Sequence, residues 1–160
     1  MKKYLLSAAF IFFIYFSQAQ EKEKAFQIGL GIVPGTVLGS GGTIFSLGAC
    51  LQGEYRFASH FSAFASVGYT NMFATGKETG HLDLIPMQIG PRAYLTSKFF
   101  VGAGLGYTIL SEEGDKTEAF NYRPHIGIDG KKWQGTMGYN AISKYGANLQ
   151  SIDFTFVLKF

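Results

Sequence analysis

Cysteine, histidine, tryptophan and proline are scarce in this sequence: one Cys, three His, one Trp and four Pro among 160 residues. The lone Cys50 cannot build an internal disulfide framework, and it lies in a strand-like segment where a small side chain simply fills space. His60, His81 and His125 form no ligand-spaced pair with one another or with Cys50, so a zinc site has no support. The run Glu112-Glu113-Gly114-Asp115 is acidic but lacks the regular ligand spacing of a calcium loop, and reads as a solvated loop. Charged residues make up only 16% of the chain, with no basic stripe interleaved with aromatics, which argues against nucleic acid as a partner. Gly29 and Gly31, and Gly102, Gly104 and Gly106, superficially resemble phosphate loops, but they alternate along strands with no helix following. No metal, nucleotide or other cofactor is expected.

Long apolar runs are missing too, apart from one at the start. Lys2 and Lys3 precede an apolar stretch from Tyr4 to Phe16, followed by the small residues Ser17 and Ala19. That layout predicts a secretory signal peptide over 1–19, cleaved after Ala19. The stretch is about 13 residues, short of the roughly 20 a spanning helix needs. The remainder, 20–160, fits one domain. Its basic and acidic residues nearly balance once Lys2 and Lys3 are removed.

What is abundant points to strands. The chain holds 21 Gly, 16 Phe and 9 Tyr; glycine weakens helices, whereas aromatic and β-branched residues suit a pleated surface. Period-two alternation recurs between turn-rich breaks. Its clearest instance is the terminal strand Ile152–Phe160, where Ile152, Phe154, Phe156, Leu158 and Phe160 share one face and Asp153, Thr155 and Lys159 the other, Val157 being the exception. Seven earlier strands are predicted over about 25–33, 43–57, 61–71, 83–95, 99–110, 119–128 and 132–140. Links 58–60, 96–98 and 129–131 are short; 34–42, 72–82, 111–118 and 141–148 are longer and more polar. Short turns at one end and longer loops at the other are the asymmetry of a transmembrane barrel. Pro86, Pro91 and Pro124 fall inside predicted strands, where the missing N–H leads us to expect bulges or twisted ends.

Alternation alone does not say which face is outside. The polar face is also the glycine-rich face, which suits the narrow interior of an eight-stranded barrel. The other face carries most of the Phe, Tyr, Leu and Ile, too large an apolar belt to leave in water. Tyr55, Tyr69, Tyr107, Tyr122, Trp133, Tyr139 and Phe160 are expected near strand ends, as interfacial girdles. The fold class predicted is all-β: an eight-stranded antiparallel up-and-down transmembrane β-barrel. The rival is a secreted lipocalin-like barrel, which needs the aromatic face inside around a ligand.

Four segments carry a family resemblance: Ser17-Gln18-Ala19-Gln20, Ile85-Pro86-Met87-Gln88-Ile89-Gly90, Tyr122-Arg123-Pro124-His125-Ile126-Gly127 and Phe154-Thr155-Phe156-Val157-Leu158-Lys159-Phe160. Together they resemble the outer-membrane β-barrel domain family of the Bacteroidota type, small barrels of the OmpA/OmpX kind. The resemblance spans essentially the whole chain after the signal. It implies a location in the cell outer membrane, contact with outer-membrane lipid, and recognition of the strand ending in Phe160 by the barrel-assembly machinery. A monomer is expected.

The inward charges predicted are Glu54, Arg56, Arg92, Arg123, Asp153 and Lys159, with His125, Gln27, Gln52, Gln88 and Gln134 near them. Charges in a narrow lumen require partners, so a structural network is expected, with Arg123 and Asp153 at mid-depth and the others toward the periplasmic end. The resulting function is a structural or interaction role with a filled, non-conducting lumen. The enzymatic alternative is modification of lipid A, which needs a nucleophile, a base and an orienting acid together. None of the histidines sits in a His-x-Ser arrangement on an outward face, so no catalytic, cofactor or metal residue is assigned.

Overall fold

The computed structural model describes residues 26–39, 43–75, 81–112, 115–144 and 147–160. The segment 1–19, read above as a signal peptide, lies outside them. Eight strands run in order: β1 (Phe26–Leu38), β2 (Thr43–Ala58), β3 (Phe61–Thr75), β4 (His81–Tyr94), β5 (Phe99–Glu112), β6 (Asp115–Asp129), β7 (Trp133–Lys144) and β8 (Ala147–Lys159). Each pairs antiparallel with its neighbour in sequence, and β1 pairs with β8, giving a closed barrel. Closure leaves no strand edge unpaired, the condition for crossing a membrane with strands. Among the described residues no helix is long and apolar enough to cross one.

The strands are 12 to 16 residues long, more than the roughly 9–11 a tilted spanning strand needs. They exceed the lengths read from sequence by several residues at one end, and by at most one at the other, which corrects the loop asymmetry expected there. Pro34–Leu38, Met72–Thr75, Ser111–Glu112, Asp115–Glu118 and Ala141–Lys144 are strand. The hairpins continue because each backbone N–H and C=O beyond the bilayer still gains a partner from the neighbouring strand. The links left at that end, 39–42, 76–80, 113–114 and 145–146, are about as short as the turns at the other. We call the two ends the loop end and the turn end; Phe26 and Phe160 lie at the turn end. Gly39, with φ of 80°, follows β1 in the left-handed region where glycine carries no steric cost.

The prolines do not make bulges. All four keep partners on one side while the ladder is interrupted on the other: Pro34 toward β8, Pro86 toward β3, Pro91 toward β5 and Pro124 toward β7. Register is unchanged across every gap, so each missing N–H removes pairing locally without inserting a residue. Among the described residues the one register shift lies at Arg56/Ala58, beside the β2–β3 turn.

The apolar face is outside. Leu30, Leu51, Val67, Ile89, Leu105, Ile126, Met137 and Phe154, one from each strand in order, are all exposed. A lipocalin-like barrel would require the reverse, and that rival is set aside. On β4 the outward apolar band runs from Ile85 to Ala93, with Leu95 just beyond the strand, and ends at Asp83. There an outward polar row crosses the sheet through Asn71, Asp83, Ser111 and Lys116. Tyr69 and Asn71 donate to Asp83 at 2.7 and 2.6 Å. Trp133, Tyr55 and Phe160 lie at the turn end as expected, whereas Tyr122 sits in the middle of β6.

Candidate functional site

Alternation puts one side of every strand into the lumen, and the lumen is layered. At the turn end, β4 sends in Arg92, 1% exposed. One of its terminal nitrogens donates to Glu54 Oε2 at 2.6 Å and Gln134 Oε1 at 3.0 Å, and the other to Gln52 Oε1 at 2.9 Å. Its Nε lies 3.2 Å from His125 Nε2. The guanidinium sits 4.1 Å from the centroid of Phe64 and 4.9 Å from that of Phe100. One side chain from β4 therefore touches β2, β3, β5, β6 and β7.

Glu54 is satisfied from several sides, as a buried carboxylate must be. Ser62 and Tyr94 each donate to Oε1 at 2.6 Å, and Gln134 Nε2 donates to Oε2 at 3.0 Å. Below it, Asp129 accepts from Arg56 at 3.1 Å, Lys159 at 2.7 Å and Gln134 at 3.1 Å. Arg56 in turn lies over the Tyr94 ring, 4.0 Å from its centroid.

At mid-depth Arg123 and Asp153 form a bidentate pair, with Arg123 Nε at 2.9 and 3.1 Å from the two carboxylate oxygens. A second guanidinium nitrogen donates to Asp153 Oδ1 and, at 2.8 Å, to Thr155 Oγ1. Glycine makes the room: a Cβ on Gly138 would lie 2.6 Å from Arg123 Nε. Gln88 donates to Asn121, which donates to Thr108 at 2.5 Å.

Above this a cavity of about 70 Å³ is floored by Arg123, Asp153 and Gln52 and roofed by Met72, Leu84 and Ile142, room for a few waters at most. The roof belongs to an apolar layer of Val37, Met72, Leu84, Ala119 and Ile142, with Ile44, Leu82, Leu110 and Leu149 packed against it.

All six predicted lumen charges face inward, and the ladder places Arg123 and Asp153 at mid-depth with Glu54, Arg56, Arg92 and Lys159 toward the turn end. Gln27 also faces in, near Glu54. Sequence reasoning missed Asp129, which it placed in a turn. It also missed the inward aromatics Phe64, Tyr94 and Phe100 and the apolar layer. The signal for Phe64 was its even spacing with Ser62 and Ser66 on the small, polar face.

His125 is held away from hydrolytic company. Its Nε2 faces Arg92, its Nδ1 lies 3.1 Å from Arg123 O, and its ring meets Phe64 and Phe100 edge-on. Asp153, the inward acid at mid-depth, is bound to Arg123 rather than to His125. His60 is in an exposed turn beside Ser59, and the His81 side chain is outside the described set. Among the described residues no cluster of His, Cys, Asp and Glu could hold a metal ion.

No family model and no curated protein matches the sequence. Solved structures do match. The attachment invasion locus protein Ail of Yersinia pestis aligns at 14% identity over 87% of this chain and 100% of its own, with a TM-score of 0.61. Neisserial surface protein A aligns at 13% identity over 84% of this chain and 95% of its own, TM-score 0.56. A de novo designed transmembrane β-barrel aligns at 10% identity over 88% of this chain and 100% of its own, TM-score 0.57. At such identities the likeness is one of fold, and the fold is that of the small eight-stranded outer-membrane β-barrels.

Proposed function

We propose that this chain is an outer-membrane barrel of the Bacteroidota type that serves a structural or interaction role, with a plugged lumen that conducts no ions. The observation that carries the reading is Arg92, a buried cation reaching five other strands across the barrel's cross-section. An eight-stranded interior is only wide enough for side chains, and here charged, amide and aromatic groups occupy the turn-end half while aliphatic groups occupy the loop-end half. An apolar outer belt and shared fold with outer-membrane barrels support the location. Export by a signal peptide cleaved after Ala19, assembly through the strand ending in Phe160, and a monomeric state belong to the same reading. The described contacts of His125 are Arg92, the Arg123 carbonyl and the Phe64 and Phe100 rings, which supports a non-enzymatic role. Purified, refolded protein in a planar bilayer tests the plug. The expected record is a flat baseline, and a large stable conductance from the monomer would overturn the proposal.

A further inference from the structure

The lipid-facing surface is not evenly filled. A row of outward residues crosses the ladder through Phe99, Ile128, Gly135, Phe156 and Ile32. Gly135 is the one small member, between Trp133 and Met137 on its own strand. A groove of about 740 Å³ opens over it, within the size range of small-molecule sites. The glycine is not required by the chain's own sterics. A Cβ there would meet only the Trp133 ring, at an ordinary 3.5 Å. By contrast, a Cβ on the inward Gly102 would lie 2.6 Å from His125. The groove reaches the turn end, where Leu95 and Phe99 line it on one side and Trp133 on the other. Trp133 is fixed by stacking on Phe156, with centroids 6.0 Å apart and planes 18° apart.

The rim at that point is cationic. Lys98 precedes Phe99, Lys131 and Lys132 precede Trp133, and all three are exposed. Their turns are joined, since Asp129 N donates to Lys98 O at 2.7 Å. At this end Asp129 and Glu54 face the lumen in ion pairs with Lys159, Arg56 and Arg92, and none of the described ion pairs engages Lys98, Lys131 or Lys132.

We propose that groove and rim form one site for an anionic glycerophospholipid of the turn-side leaflet. One acyl chain lies along the groove over Gly135, and the phosphate is held by Lys98, Lys131 and Lys132. An apolar slot of this length ending at clustered lysines matches an amphiphile carrying negative charge at one end. The inference rests on the membrane reading above.

The test uses the full mature barrel, refolded in detergent and titrated with phosphatidylglycerol, phosphatidylcholine or inorganic phosphate, with bound lipid read by native mass spectrometry. Phosphatidylglycerol should be retained about tenfold more tightly than phosphatidylcholine, as lysine attraction to anionic lipid implies, and inorganic phosphate should not displace it. Gly135→Leu and the triple variant Lys98→Gln/Lys131→Gln/Lys132→Gln should each remove the preference. Ala65→Leu, equally outward but on β3, should keep it. Heat-modifiable migration of each variant establishes that it has folded. Equal retention of the two lipids, an unchanged preference in both variants, or displacement by phosphate alone would overturn the proposal. Recovery of the protein as a soluble species without detergent would instead overturn the membrane reading beneath it.

Discussion

The side chains at the turn end of the lumen act as a unit, and Arg92 is its centre. Removing one partner of a buried ion pair leaves the other charge uncompensated, at about 3–5 kcal/mol, whereas replacing both removes most of that penalty. Glu54→Gln should therefore lower the urea midpoint of the bilayer-inserted barrel markedly, and the double variant Glu54→Gln/Arg92→Met should recover a large part of the loss. A double variant no better than the single would show that Arg92 is not held mainly by Glu54. Glycines divide by face in the same way. Gly138→Ala forces the Arg123 guanidinium off its seat and should cost about 1–3 kcal/mol. Gly135→Ala, on open surface, should stay within about 0.5 kcal/mol. Equal effects in the same unfolding titration would contradict the assignment of the two faces. The six lumen charges were legible in the sequence because a side chain's face follows from its parity along the strand, a local property. Phe64, Tyr94 and Phe100 share that inward parity, yet their aromatic character points to the lipid face, so type and parity conflict at these positions. Parity decides: inside the barrel Phe64 and Phe100 flank Arg92, and Tyr94 lies against Arg56.

At the level of the strand, apolar band and polar extension should respond differently to charge. Leu105, outward in the middle of β5, should lose about 2–4 kcal/mol on Leu105→Arg in a bilayer, while Leu38→Arg at the loop end of β1 should lose about 0–1. Similar losses at both positions would contradict a band that ends at the Asp83 row. The predicted strands stopped near that row, because sequence patterning follows the change of solvent. Ladder hydrogen bonds do not stop there, so Met72, Val37 and Ile142 continue as strand and close the lumen from above. Pro34, Pro86, Pro91 and Pro124 show the complementary point. Proline predicts a lost donor, but whether the chain answers with a bulge or a gap is decided by the neighbouring strands' register, which is non-local.

Taken whole, the molecule is a closed sheet with its solvent preference inverted: aliphatic and aromatic groups outward, ionic and amide groups inward. Fold class and strand count could be read from the sequence because closure and inversion leave a repeated period-two pattern. The loop-end apolar layer and the Gly135 groove could not, since each is assembled from residues on several strands whose adjacency depends on barrel register. An inverted barrel of this kind belongs in a membrane. Cells expressing the full chain can be fractionated and the protein run on electrophoresis with and without boiling. The expected species is in the outer-membrane fraction, needs detergent for release and migrates differently after heating. Recovery from the periplasm in aqueous buffer, with migration unchanged by heat, would contradict a membrane location.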